Sequence, residues 1–187
     1  MFKSIVLTGI QSLLMLFIAA SMFLPGQVMA QRSFTSEFIA RVIHVDDGDT
    51  LVAMPSNGQK VKVRLANVDA PEADHGRCKP GQPFAEKSTQ TLKRLVHGNT
   101  VKFTCSTLDR YDRHICDVRI GETTASRELA RQGMAWANRA RPSYLRDDGV
   151  ADAERDARSA GRGLWAVSGA VAPWQWRREE WNRSCKG

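Results

Sequence analysis

Residues 38–68 carry a two-residue alternation of apolar and polar side chains, and that pattern constrains the fold more than any other stretch. Val61, Val63 and Leu65 fall on one face; Lys60, Lys62 and Arg64 fall on the other. An α-helix would scatter these residues around its circumference, whereas a half-buried strand segregates them. Residues 38–45 and 50–54 read as two further strands. The turn signals Asp46-Asp47-Gly48 and Pro55-Ser56-Asn57-Gly58 separate the three segments and predict an antiparallel meander over 38–45, 50–54 and 59–68.

Beyond the meander, residues 73–83 form a polar loop containing Gly76, Pro80, Gly81 and Pro83. The spacing of Phe84, Ala85, Ser88, Leu92 and Leu95 predicts a helix over 84–96, ended by His97-Gly98-Asn99. Strands follow at 100–104 and 113–120, around a charged loop at 106–112. A helix over 126–132 is expected to start from a Ser126 cap and stop at Gly133. Another, over 148–159, stops at Gly161 and Gly163, and Leu164-Trp165 looks like a core anchor. Three strands, a helix, two strands, then helices predict an α+β fold: an OB-type five-stranded β-barrel with about three α-helices.

The first 30 residues stand apart. Lys3 precedes an apolar run from Ile5 to Leu24, followed by Pro25-Gly26 and Val28-Met29-Ala30. That is the pattern of a signal peptide cleaved near Ala30, with an uncleaved membrane anchor as the alternative. The expected layout is a signal peptide at 1–30, one folded domain at 31–167 and a Trp/Arg-rich tail at 168–187. Export to the periplasm or out of the cell would explain the even cysteine count. Cys78, Cys105, Cys116 and Cys185 contain no Cys-x-x-Cys pair, and four cysteines allow three disulfide connectivities. The formal charge of +7 over 187 residues favours an anionic partner.

Within this basic chain, Asp47-Gly48-Asp49-Thr50 and Arg64 to Glu72 gather acids and an arginine. Taken alone, Asp47 and Asp49 could be turn residues and Arg64 a solvated strand residue. As an ordered set they say more. Asp-Gly-Asp-Thr at 47–50, Arg64 five residues before Asp69 in Asp-Ala-Pro-Glu, Asp109-Arg110-Tyr111-Asp112-Arg113, Arg131-Gln132-Gly133-Met134-Ala135 and Gly163-Leu164-Trp165 together resemble the staphylococcal nuclease family.

That resemblance implies a calcium-dependent phosphodiesterase that hydrolyses DNA and RNA to 3′-phosphate products. It implies Ca2+ ligation by the carboxylates of Asp49 and Asp69 and by the Ala70 backbone carbonyl, with Asp47 supporting from nearby. Glu72 would orient or deprotonate the attacking water, and Arg64 and Arg113 would grip the scissile phosphate. Tyr111 and Arg110 would lie along the substrate. Two carboxylates and a carbonyl suit a hard cation and leave room for water and a phosphate oxygen. The arginine fork can bind two phosphate oxygens at once.

This chain departs from the family pattern in two places. Asp112 stands where glycine is usual, and Trp136-Ala137-Asn138-Arg139 stands where nucleotide-contacting tyrosines are common. The competing reading is an OB-type nucleic-acid-binding module without catalysis; the presence of all five catalytic and metal-binding side chains argues for activity. No stable protein partner is implied, and a monomer is expected. Cys105 and Cys116, on the strands flanking the Arg113 loop, look like a cross-strand disulfide, leaving Cys78 with Cys185 to pin the tail. The tail's tryptophans and arginines could extend the nucleic-acid surface or pack against the domain, and packing is favoured.

Overall fold

The computed structural model describes residues 35–185, which belong to one compact unit; the signal-peptide expectation falls on residues outside that range. The meander forms as β1 (Ser36–Val45), β2 (Thr50–Pro55) and β3 (Val61–Leu65). Val42, Leu51, Ala53, Val63 and Leu65 turn inward and are buried. Strands β5 (Thr100–Leu108) and β6 (His114–Ile120), with the two-residue β7 (Thr123–Thr124) beyond them, complete a sheet in the order β3-β2-β1-β5-β6-β7. A parallel pairing of β3 with β6, Val63 to His114 through Leu65 to Cys116, closes it into a five-stranded barrel. Closure removes the free sheet edges and makes one core.

The predicted third strand does not run to Val68. It ends at Leu65, and Asn67 adopts a left-handed backbone with φ 69°. Asparagine tolerates that region because its short amide can bond locally. Here the amide reaches further: Oδ1 accepts from the Arg146 and Asp147 amides at 2.8 and 3.2 Å, and Nδ2 donates to Asp117 at 2.9 Å. The break sends Val68–Asp69 (β4) to pair with Trp136–Ala137 (β8) instead of continuing around the barrel. A break of this kind depends on contacts some 80 residues away, which local alternation does not encode.

Three helices cover the barrel as expected: α1 (Ala85–Val96), α2 (Ala125–Arg131) and α3 (Asp148–Ser159). The cap of α2 differs from the expectation. Thr124 caps it, its side chain accepting from the Arg127 amide at 3.2 Å. Ser126 lies inside the helix, fully buried, and its hydroxyl donates to the Ala66 carbonyl at 2.7 Å. The first inter-helix strand is also longer than expected, extending to Leu108, so the loop beyond it spans only 109–113. Gly133 and Gly163 both have positive φ, and a Cβ on Gly163 would stand 2.3 Å from the Gly133 carbonyl oxygen. This close crossing seats Leu164 against Trp136.

The cysteines divide into two cases. Cys105 and Cys116 face each other across β5 and β6 and are joined by a disulfide. Cys78 and Cys185 are not joined. They remain thiols, with the Cys185 sulfur donating to the Cys78 carbonyl oxygen at 3.3 Å, and the neighbouring Cys78 side chain pushes the Cys185 thiol pKa up. The chain end still folds back. Ala172 joins a small cluster with Trp136 and Leu164, with Phe84, Trp165 and Trp174 packed against it. Residues 173–184 are helical, comprising α4 (Pro173–Trp176), a π-helical turn (Arg177–Trp181) and a short last turn (Asn182–Ser184). Among the described residues no helix is long and apolar enough to cross a membrane.

Candidate active site

The barrel registers bring the distant motifs to one end. Thr50 pairs with Arg64, and Arg64 pairs with Ile115, two residues after Arg113. Asp49 therefore enters from the start of β2, Arg64 from β3, Asp69 from β4 and Arg113 from the loop before β6. Gly48 is required by space. A Cβ there would lie 2.2 Å from the Ser88 hydroxyl oxygen and 2.6 Å from the Ala70 Cβ. Gly48 therefore serves the turn and also the close approach of helix and turn.

Arg64 forms the floor. Its Nη1 lies 2.8 Å from Asp49 Oδ2 and its Nη2 lies 2.6 Å from Asp69 Oδ1. The Nη1 contact is an ion pair at an angle that leaves that nitrogen without an aligned hydrogen bond. Burial disfavours the guanidinium charge, but Asp49, Asp69 and Asp47 outweigh it and raise its pKa. Far from being a solvated strand residue like Lys62, Arg64 is held between two acids with 15% of its side chain still exposed. Asp49 Oδ2 also accepts from the Ala70 amide at 2.9 Å, and Asp49 Oδ1 accepts from the Thr50 hydroxyl at 3.2 Å. Ala70 thus holds Asp49 through its amide.

Asp47 sits beside this group. Its Oδ1 accepts from the Asp49 amide at 3.0 Å, which shapes the turn. Burial first, then repulsion from Asp49, pushes its carboxyl up to about 6. Two desolvated acids that repel one another make a place where a cation is favoured. No group of three His, Cys, Asp or Glu side chains among the described residues is close enough to hold a metal by side chains alone. The oxygen donors nevertheless fit a hard cation whose remaining ligands are carbonyl and water oxygens.

Glu72 lies next to Asp69. Burial, opposed by Arg177 and reinforced by the Asp69 and Asp49 charges, raises its carboxyl to about 7. Its backbone is clamped to Gln82: the Glu72 amide donates to Gln82 Oε1 at 3.0 Å, and the Gln82 amide donates to the Glu72 carbonyl at 2.8 Å.

Arg113 occupies the opposite rim. Its Nε donates to Asp109 Oδ2 at 2.8 Å, and its Nη1 donates to the Thr50 hydroxyl at 3.3 Å. Burial works against the Asp109 charge, but the bonds from Arg113 and Tyr111 hold its pKa below the usual range. Asp112 takes the left-handed conformation at φ 59° that a glycine would adopt freely. The loop therefore keeps a tight turn, closed by Asp109 N to Arg113 O at 2.9 Å. Tyr111 stands 61% exposed on this loop, with the Arg110 and Arg113 guanidinium carbons 4.8 and 5.4 Å from its ring centre. Tyr111 and Arg110 sit on the rim and are not drawn into the acid cluster.

One residue at the site escaped the sequence reading. Arg177 reaches in from the tail: its Nη2 lies 2.9 Å from Asp69 Oδ2, and its Nη1 is ion-paired with Glu72 Oε1. No local pattern distinguishes Arg177 from Arg178 beside it. Only the packing of the tryptophans on either side selects which arginine points inward.

Comparison with known proteins accords with this arrangement. Residues 62–167 match the family model described as staphylococcal nuclease homologue. The chain belongs to the staphylococcal nuclease family. An uncharacterized endonuclease of Haemophilus influenzae is 37% identical over 140 residues, covering 75% of this chain and 73% of that protein. An uncharacterized endonuclease of Escherichia coli is 35% identical over 141 residues, covering 75% and 85%. The micrococcal nuclease of Shigella flexneri is 32% identical over 176 residues, covering 88% of this chain and 92% of that protein. The chain is accordingly a nuclease, a hydrolase acting on nucleic acid, built on an OB-type barrel.

Proposed function

We propose that this nuclease is an exported, calcium-dependent phosphodiesterase that cleaves both DNA and RNA and leaves 3′-phosphate ends. The observation that carries the reading is the convergence of Asp49, Asp69 and Glu72 with Arg64 and Arg113 at one end of the barrel. Asp49, Asp69 and the Ala70 carbonyl would hold Ca2+, with Asp47 supporting the turn. When bound, the ion supplies a Lewis acid that neutralises charge on the phosphate. Glu72 accepts a proton from the attacking water, and a carboxyl raised to about 7 is suited to general-base work near neutral pH. Arg64 and Arg113 bind the non-bridging oxygens, where negative charge grows as the pentacovalent state forms. Tyr111 offers a face on which a base can stack, with Arg110 beside it for the backbone.

Export is supported by the apolar leader at 5–24 and by the Cys105–Cys116 disulfide, a bond that persists in oxidising compartments. The mature chain would act as a monomer in the periplasm or medium. The test is digestion of DNA and RNA by the purified chain with calcium or with chelator, followed by end-group analysis. Cleavage of both polymers with calcium only, giving 3′-phosphates, is expected. Chelator-insensitive cleavage would exclude the calcium reading, and salt-sensitive binding without cleavage would favour a binding module. The N-terminal residue of the protein recovered from cells distinguishes cleavage near Ala30 from an uncleaved anchor.

A further inference from the structure

We infer that Arg177, delivered by the C-terminal helical segment, is a positioning residue that fixes the Glu72 carboxylate; this rests on the role proposed for Glu72. Arg177 is half-buried and bridges two acids, Asp69 through Nη2 at 2.9 Å and Glu72 through Nη1. A guanidinium that binds two carboxylates at once fixes their mutual orientation, because its fork is planar and rigid. A carboxylate that must receive a proton from one water gains from being held in a single rotamer.

The segment around Arg177 is built to deliver it. Trp176 and Trp181 both donate their indole N–H to the Pro80 carbonyl, at 2.9 and 3.2 Å. Lys79 lies 5.3 Å from the Trp181 ring centre, and His75 meets the same ring edge-on. Gln82, which clamps the Glu72 backbone, donates through Nε2 to the Val171 carbonyl at 3.0 Å. Glu72, the loop after it and the tail thus form one hydrogen-bonded unit. Arg177 opens a π-helical turn between the two anchoring tryptophans. Such turns are costly in regular helices and are frequent at functional sites. Arg178, one residue on, is exposed, and its side chain bonds Glu179 beside it.

The experiment compares Arg177→Ala, Arg177→Lys, Glu72→Gln and the Arg177→Ala/Glu72→Gln pair in the full chain. Turnover of a fluorophore-labelled oligodeoxynucleotide is measured with calcium. Binding of the same oligonucleotide is measured by anisotropy with chelator. Arg177→Ala should lower kcat about 10- to 100-fold, as loss of a group orienting a site residue typically does, with KM and metal-free binding unchanged. Arg177→Lys should recover part of kcat, and thermal unfolding of both variants shows whether the fold is intact. The pair should be no slower than Glu72→Gln alone. A parallel loss of binding, or a full additional loss in the pair, would make Arg177 a direct substrate contact and overturn the inference. Wild-type turnover in Arg177→Ala alongside a crippled Glu72→Gln would overturn the inference alone. Wild-type turnover in Glu72→Gln would overturn the reading of Glu72 itself.

Discussion

The floor and the rim of the site are built by different means. The floor is Arg64 between Asp49 and Asp69, on strands whose register is set by barrel closure. The rim carries Arg113 on a five-residue loop and Arg177 on the chain end, each partly open to solvent. Both use arginine against carboxylate, yet the energetics differ. The floor pair is desolvated, so removing one partner leaves a buried charge without compensation. The Arg113–Asp109 pair on the rim keeps more of its solvent, its side chains being 21% and 18% exposed, and contributes less to folding. The floor therefore couples activity to stability, whereas the rim separates them.

Arg64→Ala is the substitution with the largest expected effect. It leaves Asp49, Asp69 and the raised Asp47 facing one another, and breaking a buried pair costs about 3–5 kcal/mol. Metal-free stability in chemical denaturation should fall by that amount, and calcium should restore part of it by supplying the missing positive charge. Turnover should drop as well. Arg113→Ala should lower kcat/KM roughly 10²- to 10³-fold, the scale seen when one donor to a developing oxyanion is lost. Its unfolding free energy should change by only about 1 kcal/mol or less. If Arg113→Ala proved as destabilising as Arg64→Ala, the contrast between floor and rim would fail.

The same division explains what could be read in advance. Alternation in 38–65 and the capped helical stretches gave the barrel and its three helices, because those signals are local. The floor residues were legible because they sit in turns and strands whose order reveals the family. Arg177 was not, since its partner Glu72 lies 105 positions away and its aim depends on Trp176 and Trp181 both finding the Pro80 carbonyl. The end of β3 at Leu65 was missed for a similar reason: Asn67 is held in a left-handed turn by amides from residues 146 and 147. Ser126 looked like a cap because a serine before an apolar run usually is one. Tertiary packing used it instead to bond Ala66.

The disulfide sharpens the comparison from the rim side. Cys105 and Cys116 close a loop with a sequence separation of 11 that contains Arg113. Replacing both by alanine should lower stability by about 2–4 kcal/mol, chiefly by freeing the unfolded chain. The loop also stays tied by Asp109 to the Tyr111 and Arg113 amides, at 2.8 and 3.0 Å. Turnover at temperatures where the variant remains folded should therefore change far less than in Arg113→Ala. A loss of turnover as large as that of Arg113→Ala would mean that the bond, and not Asp109, positions the arginine.

The smallest expected effect concerns pH, through two acids beside the floor. Asp47 and Glu72 have folded-state pKa values raised to about 6 and about 7, from 3.8 and 4.5. Burial of their charged forms is the first cause in both, so each is better tolerated protonated. Their contribution is fully present below the unfolded values and is lost as pH rises through 6 and 7. Glu37, Asp109, Glu128 and Asp147 are shifted the other way, and the stability they contribute is lost as pH falls through their lowered values. Metal-free protein should therefore lose stability as pH rises from 5 to 8, the loss being shared between acids that titrate together. Thermal unfolding from pH 4 to pH 8 checks the sign. Calcium should flatten the alkaline decline, because a cation beside Asp49 and Asp69 favours the ionised carboxylates and offsets both their desolvation and their mutual repulsion. A decline that persisted unchanged with saturating calcium would place the ion elsewhere.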